Sequence, residues 1–289
     1  LIGSKRLYSP TMSDSNVRML FRILVAMSMS LLTALARRDC FTGDVSVADV
    51  LIDNQEGNDC EVDAGHYNMK SLKIRDILSQ TFYVYMKENV TLHLDSTFLC
   101  ENRINIMIQG SFSIKTGAAF IQNAGCTINA AGGGFQYNER QKMINMGYPV
   151  PANMNAGGWC SSCDYNDAMG GSHGGQGGSK SRAAAKPYGS YAEPLHWGSP
   201  GVGSSWQRYM IGGQGGGAIK IESDATVTIN GVVRANGKSG NNGWSPGTGG
   251  GGAGGSIWIT GSHVLGTGTI QANGAKQALN SYYTTSRTG

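Results

Sequence analysis

Two stretches near the C-terminal end share a pattern that few folds can use. GGAIKIESDATVTINGVVRANG occupies residues 216–237, and GGSIWITGSHVLGTGTIQANG occupies residues 254–274. Ile219 and Ile221 of the first match Ile257 and Ile259 of the second at a spacing of 38. Gly231, Ala235, Asn236 and Gly237 match Gly268, Ala272, Asn273 and Gly274 at 37. A weaker copy lies upstream over residues 110–132, where Phe112 and Ile114 stand for Ile219 and Ile221, and Ile128 and Ala130 stand for Val233 and Ala235. Each copy alternates apolar and polar residues over a few positions, which is a strand pattern. No copy buries its apolar face alone; stacking copies does. The fold class expected is therefore all-β, a right-handed parallel β-helix (β-solenoid) with Gly-rich loops. Small residues such as Ala235-Asn236-Gly237 are expected at its corners, because Gly and Asn accept positive φ at little cost.

Glycine is abundant at 44 of 289 residues, and charged residues are only 15%. The glycines follow no strict triplet period and prolines number seven, which excludes collagen. A net charge of +4 is too weak and too scattered to point to nucleic acid. Long glycine tracts separate the copies, such as residues 239–255. They are expected to lie on the solenoid as tight loops.

The chain divides into three. Residues 1–36 are read as an upstream segment and a secretory signal peptide: Arg18 and Arg22 precede a short apolar run, Ile23 to Leu32, and Ala34-Leu35-Ala36 is a small-x-small cleavage site. Residues 37–100 are expected as an N-terminal cap region, with strands at 82–86 and 90–94. Residues 101–289 are expected as the glycine-rich solenoid, with a loop insertion at about 136–210 that has little periodicity. No apolar run is long enough for a membrane span. The C-terminal SYYTTSRTG stops without a capping pattern, as it would in a piece of a longer protein.

Export brings two expectations. Cys40, Cys60, Cys100, Cys126, Cys160 and Cys163 are an even set and read as three disulfides. Sequence neighbours are the favoured partners, with Cys160 and Cys163 as a local bridge. Zinc is the rival for Cys160 and Cys163, with His173 the nearest further ligand, but four ligands are needed and no second CxxC or HxxxH follows. Asn89-Val90-Thr91 is a glycosylation sequon.

The order of elements resembles the N-terminal part of the large glycine-rich secreted or membrane proteins of plants and protists. The residues that carry the resemblance are the G-S-F-S-I of residues 110–114, the GGSHGGQGG of 170–178, Pro187-Tyr188-Gly189-Ser190, the GGGAIKI of 215–221 and the GGSIWI of 254–259 with GTGTI of 266–270. It covers roughly residues 100–275. It implies an extracellular β-solenoid, and it implies no catalytic residue. The chain departs from the pattern in its short length and its 136–169 insertion.

Gly170-Gly171-Ser172-His173-Gly174 fits G-x-S-x-G, but that nucleophile elbow needs a strand before it and a helix after it, and CDYNDAM and GGQGGSK offer neither. Gly237-Lys238-Ser239 lacks the earlier glycine of a phosphate loop. Thr226-x-Thr228 and Thr267-x-Thr269 are offset in the repeat alignment and do not form one array. Glycoside hydrolysis needs paired carboxylates. Asp164, Asp167, Glu139 and Glu193 are available, and Trp159, Trp197 and Trp206 would offer sugar-stacking faces. The expected function is an extracellular or cell-surface structural or adhesion module without catalytic activity, cofactor or metal. The alternative is a carbohydrate-binding or carbohydrate-active β-helix, with Trp159, Asp164, Asp167, Trp197 and Trp206 as carbohydrate contacts. Expected partners are extracellular glycans or other surface proteins, and the expected location is secreted or cell surface.

Overall fold

The computed structural model describes residues 37–41, 48–54, 59–150, 169–178, 186–203, 211–240 and 249–276. The strands run in chain order as a repeated triplet. They are β1 (Arg38–Asp39), β2 (Asp49–Asp53), β3 (Cys60–Val62), β4 (Gly65–Met69), β5 (Ser71–Arg75), β6 (Phe82–Met86), β7 (Val90–Leu94), β8 (Phe98–Cys100), β9 (Ile104–Ile108), β10 (Ser111–Thr116), β11 (Phe120–Gln122) and β12 (Thr127–Asn129). After a long insertion come β13 (Ala218–Ser223), β14 (Thr226–Ile229), β15 (Val232–Arg234), β16 (Ser256–Thr260), β17 (His263–Leu265) and β18 (Thr269–Gln271). Among the described residues of the insertion lies one short helix, α1 (Arg140–Asn145).

Three parallel sheets result. The first sheet is β1-β3-β6-β9-β12-β15-β18, the second β2-β5-β8-β11-β14-β17, and the third β4-β7-β10-β13-β16. From β2 onward each strand pairs with the strand three later, so the chain visits all three sheets once per coil. This is an all-β parallel stack with the topology of a β-solenoid. Ladders such as Phe82↔Ile104, Val84↔Ile106 and Met86↔Ile108 keep alternate residues in line. Their outward neighbours alternate with them, giving the buried–half-buried rhythm of β6, β9 and β10. The inward rows form one continuous core from Ile52 to Ala235. Fully burying one such side chain is worth about 1.5–3 kcal/mol, so the rows, and not any single coil, hold the fold.

The repeat alignment matches the observed register. Ile219 and Ile221 pair with Ile257 and Ile259, Phe112 and Ile114 with Ile219 and Ile221, and Ile128 with Val233. Thr226 and Thr228 belong to β14, whereas Thr269 belongs to β18 in another sheet. The 37–100 segment differs from the expectation. It adds β2 to β8 to all three sheets, so coils already wind through the region read as a cap. The coil there is as short as 22 residues, as between Asp49 and Ser71.

Two disulfides join sequence neighbours, Cys40–Cys60 and Cys100–Cys126. The second ties β8 to the turn before β12 and is wholly buried. The first closes the N-terminal end, where Phe41 packs on Tyr67 at 5.0 Å. Cys160 and Cys163 lie outside the described residues.

The extra length of the C-terminal coils enters at one corner, between the first and third sheets. That corner is short between β3 and β4, β6 and β7, and β9 and β10, with Asn89 and Gly110 at positive φ (61° and 83°). Between β12 and β13, and between β15 and β16, it opens into glycine-rich excursions. Their described parts form a layer of extended segments held by backbone bonds to several neighbours at once. Gly198 and Gly201 donate to Gly216 and Gly213. Gly213 and Gly216 donate to Gly250 and Ala253, and Gly252 and Gly255 donate to Lys238 and Ala235. These bonds recur at every third residue, the period of a polyproline-II-type helix. A helix of that kind makes no internal hydrogen bonds, so its amides must reach neighbouring segments.

Glycine serves a different purpose here from the one read in the sequence. Gly213, Gly216 and Gly255 do not take left-handed φ. A Cβ at Gly213 would stand 1.7 Å from the Lys238 carbonyl oxygen, at Gly216 1.9 Å from that of Ala235, and at Gly255 1.9 Å from that of Gly217. Ala235-Asn236-Gly237, expected as a corner, instead enters the layer, where a Cβ on Gly237 would stand 2.1 Å from the Gly252 oxygen.

Candidate functional site

In the described part of the insertion, aromatic side chains cluster beside the glycine layer. Phe135, just before α1, packs edge-on against Tyr148 at 4.7 Å and at a tilt against Trp197 at 5.1 Å. Tyr148 meets Tyr188 at 5.3 Å and His196 at 5.4 Å, and His173 meets Tyr188 at 5.1 Å. Beside this cluster opens a cleft of about 470 Å³, lined by His173, Tyr188, Ser190, Tyr191, Pro194 and Ser256 among others.

Its hydrogen bonds fix the geometry. His173 Nδ1 lies 2.8 Å from the Gly254 carbonyl oxygen. A carbonyl only accepts, so Nδ1 carries the proton and the neutral ring presents a bare Nε2. Ser256 Oγ donates to the His196 carbonyl at 2.7 Å and stands 3.4 Å from His173 Nε2. Tyr188 donates its hydroxyl proton to the Trp197 carbonyl. Burial pushes the phenols of Tyr188 and Tyr148 up. Burial also pushes the His173 imidazole down from 6.5, the Gly254 carbonyl opposes that, and nearby His196 adds to it.

That depression sets a pH dependence. The unfolded chain takes up the His173 proton more readily than the folded one. The contribution of His173 to stability is therefore expected to be whole above about pH 6.5 and to be lost as pH drops below it. Thermal melting at pH 7.5 and pH 5 is expected to show a lower Tm at pH 5, and His173→Gln is expected to shrink that difference. An undiminished difference in the variant assigns the effect to other groups.

The residues read from the sequence fare unevenly. Trp197 is 2% exposed, and its Nε1 donates to Ser111 Oγ at 2.7 Å. The Lys142 ammonium sits 4.9 Å from its ring centre. Its faces are covered by protein, so it is not a carbohydrate contact. Trp159, Asp164, Asp167 and Trp206 lie outside the described residues. Glu139 is engaged by Lys142 and by the Gln136 amide. Ser172 of the G-x-S-x-G match is fully buried; its Oγ accepts from the Gly177 amide, and its own amide donates to Ser199 Oγ. It pins the loop and is not presented as a nucleophile. The His173 side chain reaches across the fold to Gly254, while its backbone amide donates to Gly175 within the loop. Asn89 is exposed at the turn between β6 and β7. Among the described residues no three His, Cys, Asp or Glu side chains gather as a metal site would need.

No family model, curated protein or solved structure matches the chain.

Tyr188 stood in the sequence only as part of the Pro187-Tyr188-Gly189-Ser190 element, and Tyr191 carried no signal of its own. Only the docking of that stretch on residues 254–257 makes a site of them.

Proposed function

We propose that the chain is an extracellular or cell-surface structural or adhesion module, a right-handed parallel solenoid without catalytic activity, of the kind its resemblance to large glycine-rich secreted and membrane proteins implies. Right-handed winding is the sense that strand–connection–strand units in one parallel sheet adopt almost without exception. The observation that carries the functional reading is where the chemically capable side chains go. Ser172 and His173 hold backbone of other segments in the glycine layer, and Glu139 holds α1 through Lys142. Two disulfides suit an oxidising compartment. Asn89 is exposed on a turn, as a glycan acceptor must be.

The test is expression in a secreting eukaryotic cell with the native leader. The expected product is found outside the cell and carries a glycan that an N-glycosidase removes. Asn89→Gln is expected to abolish that mobility change. Incubation with neutral and acidic polysaccharides is expected to release no reducing sugar. Retention inside the cell, or release of sugar, overturns the reading. The cleft beside Tyr188 favours carbohydrate binding as the form that adhesion takes.

A further inference from the structure

We infer that the cleft between the Tyr188–Tyr191 stretch and residues 254–257 binds a neutral saccharide. The inference rests on the adhesive reading and gives it a ligand class.

Charge comes first. Among the described residues that line the cleft there is no Asp, Glu, Lys or Arg. These lining residues offer an acidic sugar no cation and an amine no carboxylate. A charged ligand would lose hydration without compensation, so a neutral one is selected.

Hydrogen-bond capacity comes second. His173 Nε2 holds a lone pair, because Nδ1 carries the ring proton. Ser256 Oγ, 3.4 Å away, gives its single proton to the His196 carbonyl. Among the described residues nothing else is placed to donate to Nε2, so the cleft wall presents an acceptor that calls for an O–H. Ser190 is its complement. Its Oγ accepts from the amides of Ala192 and Glu193 at 3.2 and 3.0 Å, and neither bond uses its proton. One acceptor and one donor in the same cleft match hydroxyl groups, each of which both gives and receives.

Shape comes third. Tyr191 is fully exposed at 103% of its reference area. It stands on the rim with Pro187 and Pro194 near it. Amphipathic rings of this kind pair an apolar face with a polar tip, and the C–H face of a sugar ring is their natural complement. The volume of about 470 Å³ falls within the roughly 300–1,000 Å³ usual for small-molecule sites, which is room for a short oligosaccharide.

The experiment uses the secreted, disulfide-bonded protein. Calorimetric titration is run with oligosaccharides of β-glucan, mannan and galactan as neutral probes and of polygalacturonate as the acidic probe, with reducing ends assayed in parallel. At least one neutral probe is expected to bind. Tyr191→Ala is expected to weaken it roughly tenfold, as truncating an aromatic anchor does, with the circular dichroism spectrum and Tm unchanged because the side chain packs on nothing. His173→Phe removes the acceptor and is expected to weaken binding as well. If that variant does not fold, Tyr191→Ala and Ser190→Ala decide the matter. Binding of the acidic probe alone, no binding, or neutral binding indifferent to Tyr191→Ala and Ser190→Ala overturns the inference and leaves the structural module standing. Neutral binding with release of reducing ends upholds the cleft and overturns the non-catalytic reading.

Discussion

Replacing Gly213 by alanine is expected to cost about 3 kcal/mol or more, at the upper end of overpacking effects. The added methyl would stand 1.7 Å from the carbonyl oxygen of Lys238. That oxygen belongs to backbone and has no rotamer by which to withdraw. Moving it pulls on the bonds that Lys238 makes to Gln214 and Gly252, so the strain spreads into a third segment. Gly175→Ala is the control. Its Cβ meets nothing within 4 Å, and its φ is ordinary, so its stability is expected to stay within about 0.5 kcal/mol of the parent. Gly213→Asn separates two explanations. Asparagine tolerates a left-handed corner but brings the same Cβ, so it is expected to be as damaging as alanine. Urea unfolding of the four proteins measures this. An asparagine variant near the parent's stability would mean that glycine is there for its dihedral freedom after all.

Phe120→Ala is expected to cost about 3–5 kcal/mol. Phe120 is wholly buried and stacks on Phe98 at 4.7 Å, one coil below, with Val227 one coil above. Removing its ring leaves a hole between three coils, and each coil is fixed by pairing to its neighbours, so collapse into the hole is limited. Ile121→Ala, next along β11 and facing outward, is expected to cost less than half as much. Equal losses at the two positions, read by chemical denaturation, would contradict the assigned inside and outside of the second sheet.

Register was legible in the sequence wherever glycine motifs flagged the strands. Ile219 and Ile257, and Phe112 and Ile219, were aligned from such motifs, and they pair. The N-terminal coils lacked that flag. Phe82–Met86 and Val90–Leu94 alternate plainly enough to be strands, but nothing near them repeats the GG-x-I-x-I unit. Coil length also changes, from the step between Asp49 and Ser71 to that between Leu72 and Phe98. A search tuned to a spacing of 37 or 38 passes over steps of 22. The glycine layer was illegible for another reason. Its bonds join residues far apart in the chain, such as Gly171 and Gly251, and backbone pairing of this kind leaves no side-chain pattern to read. Trp197 was misjudged by the same route: a tryptophan in a glycine-rich loop reads as exposed, but here Phe135, Lys142 and Ser111 close around it. Tyr191, the residue best placed to meet a ligand, had nothing to distinguish it from other loop tyrosines.

The triplet-bonded glycine segments also have a calorimetric consequence. When they come apart, water gains mostly amide and little hydrocarbon. Exposed hydrocarbon raises the heat capacity of the unfolded chain, and exposed amide lowers it. Melting this protein is therefore expected to produce a heat-capacity step smaller than its chain length implies, with a free energy of unfolding that varies less steeply with temperature on both the warm and the cold side. A flatter curve of this kind would let the molecule keep its shape through wide swings of temperature without a high peak stability.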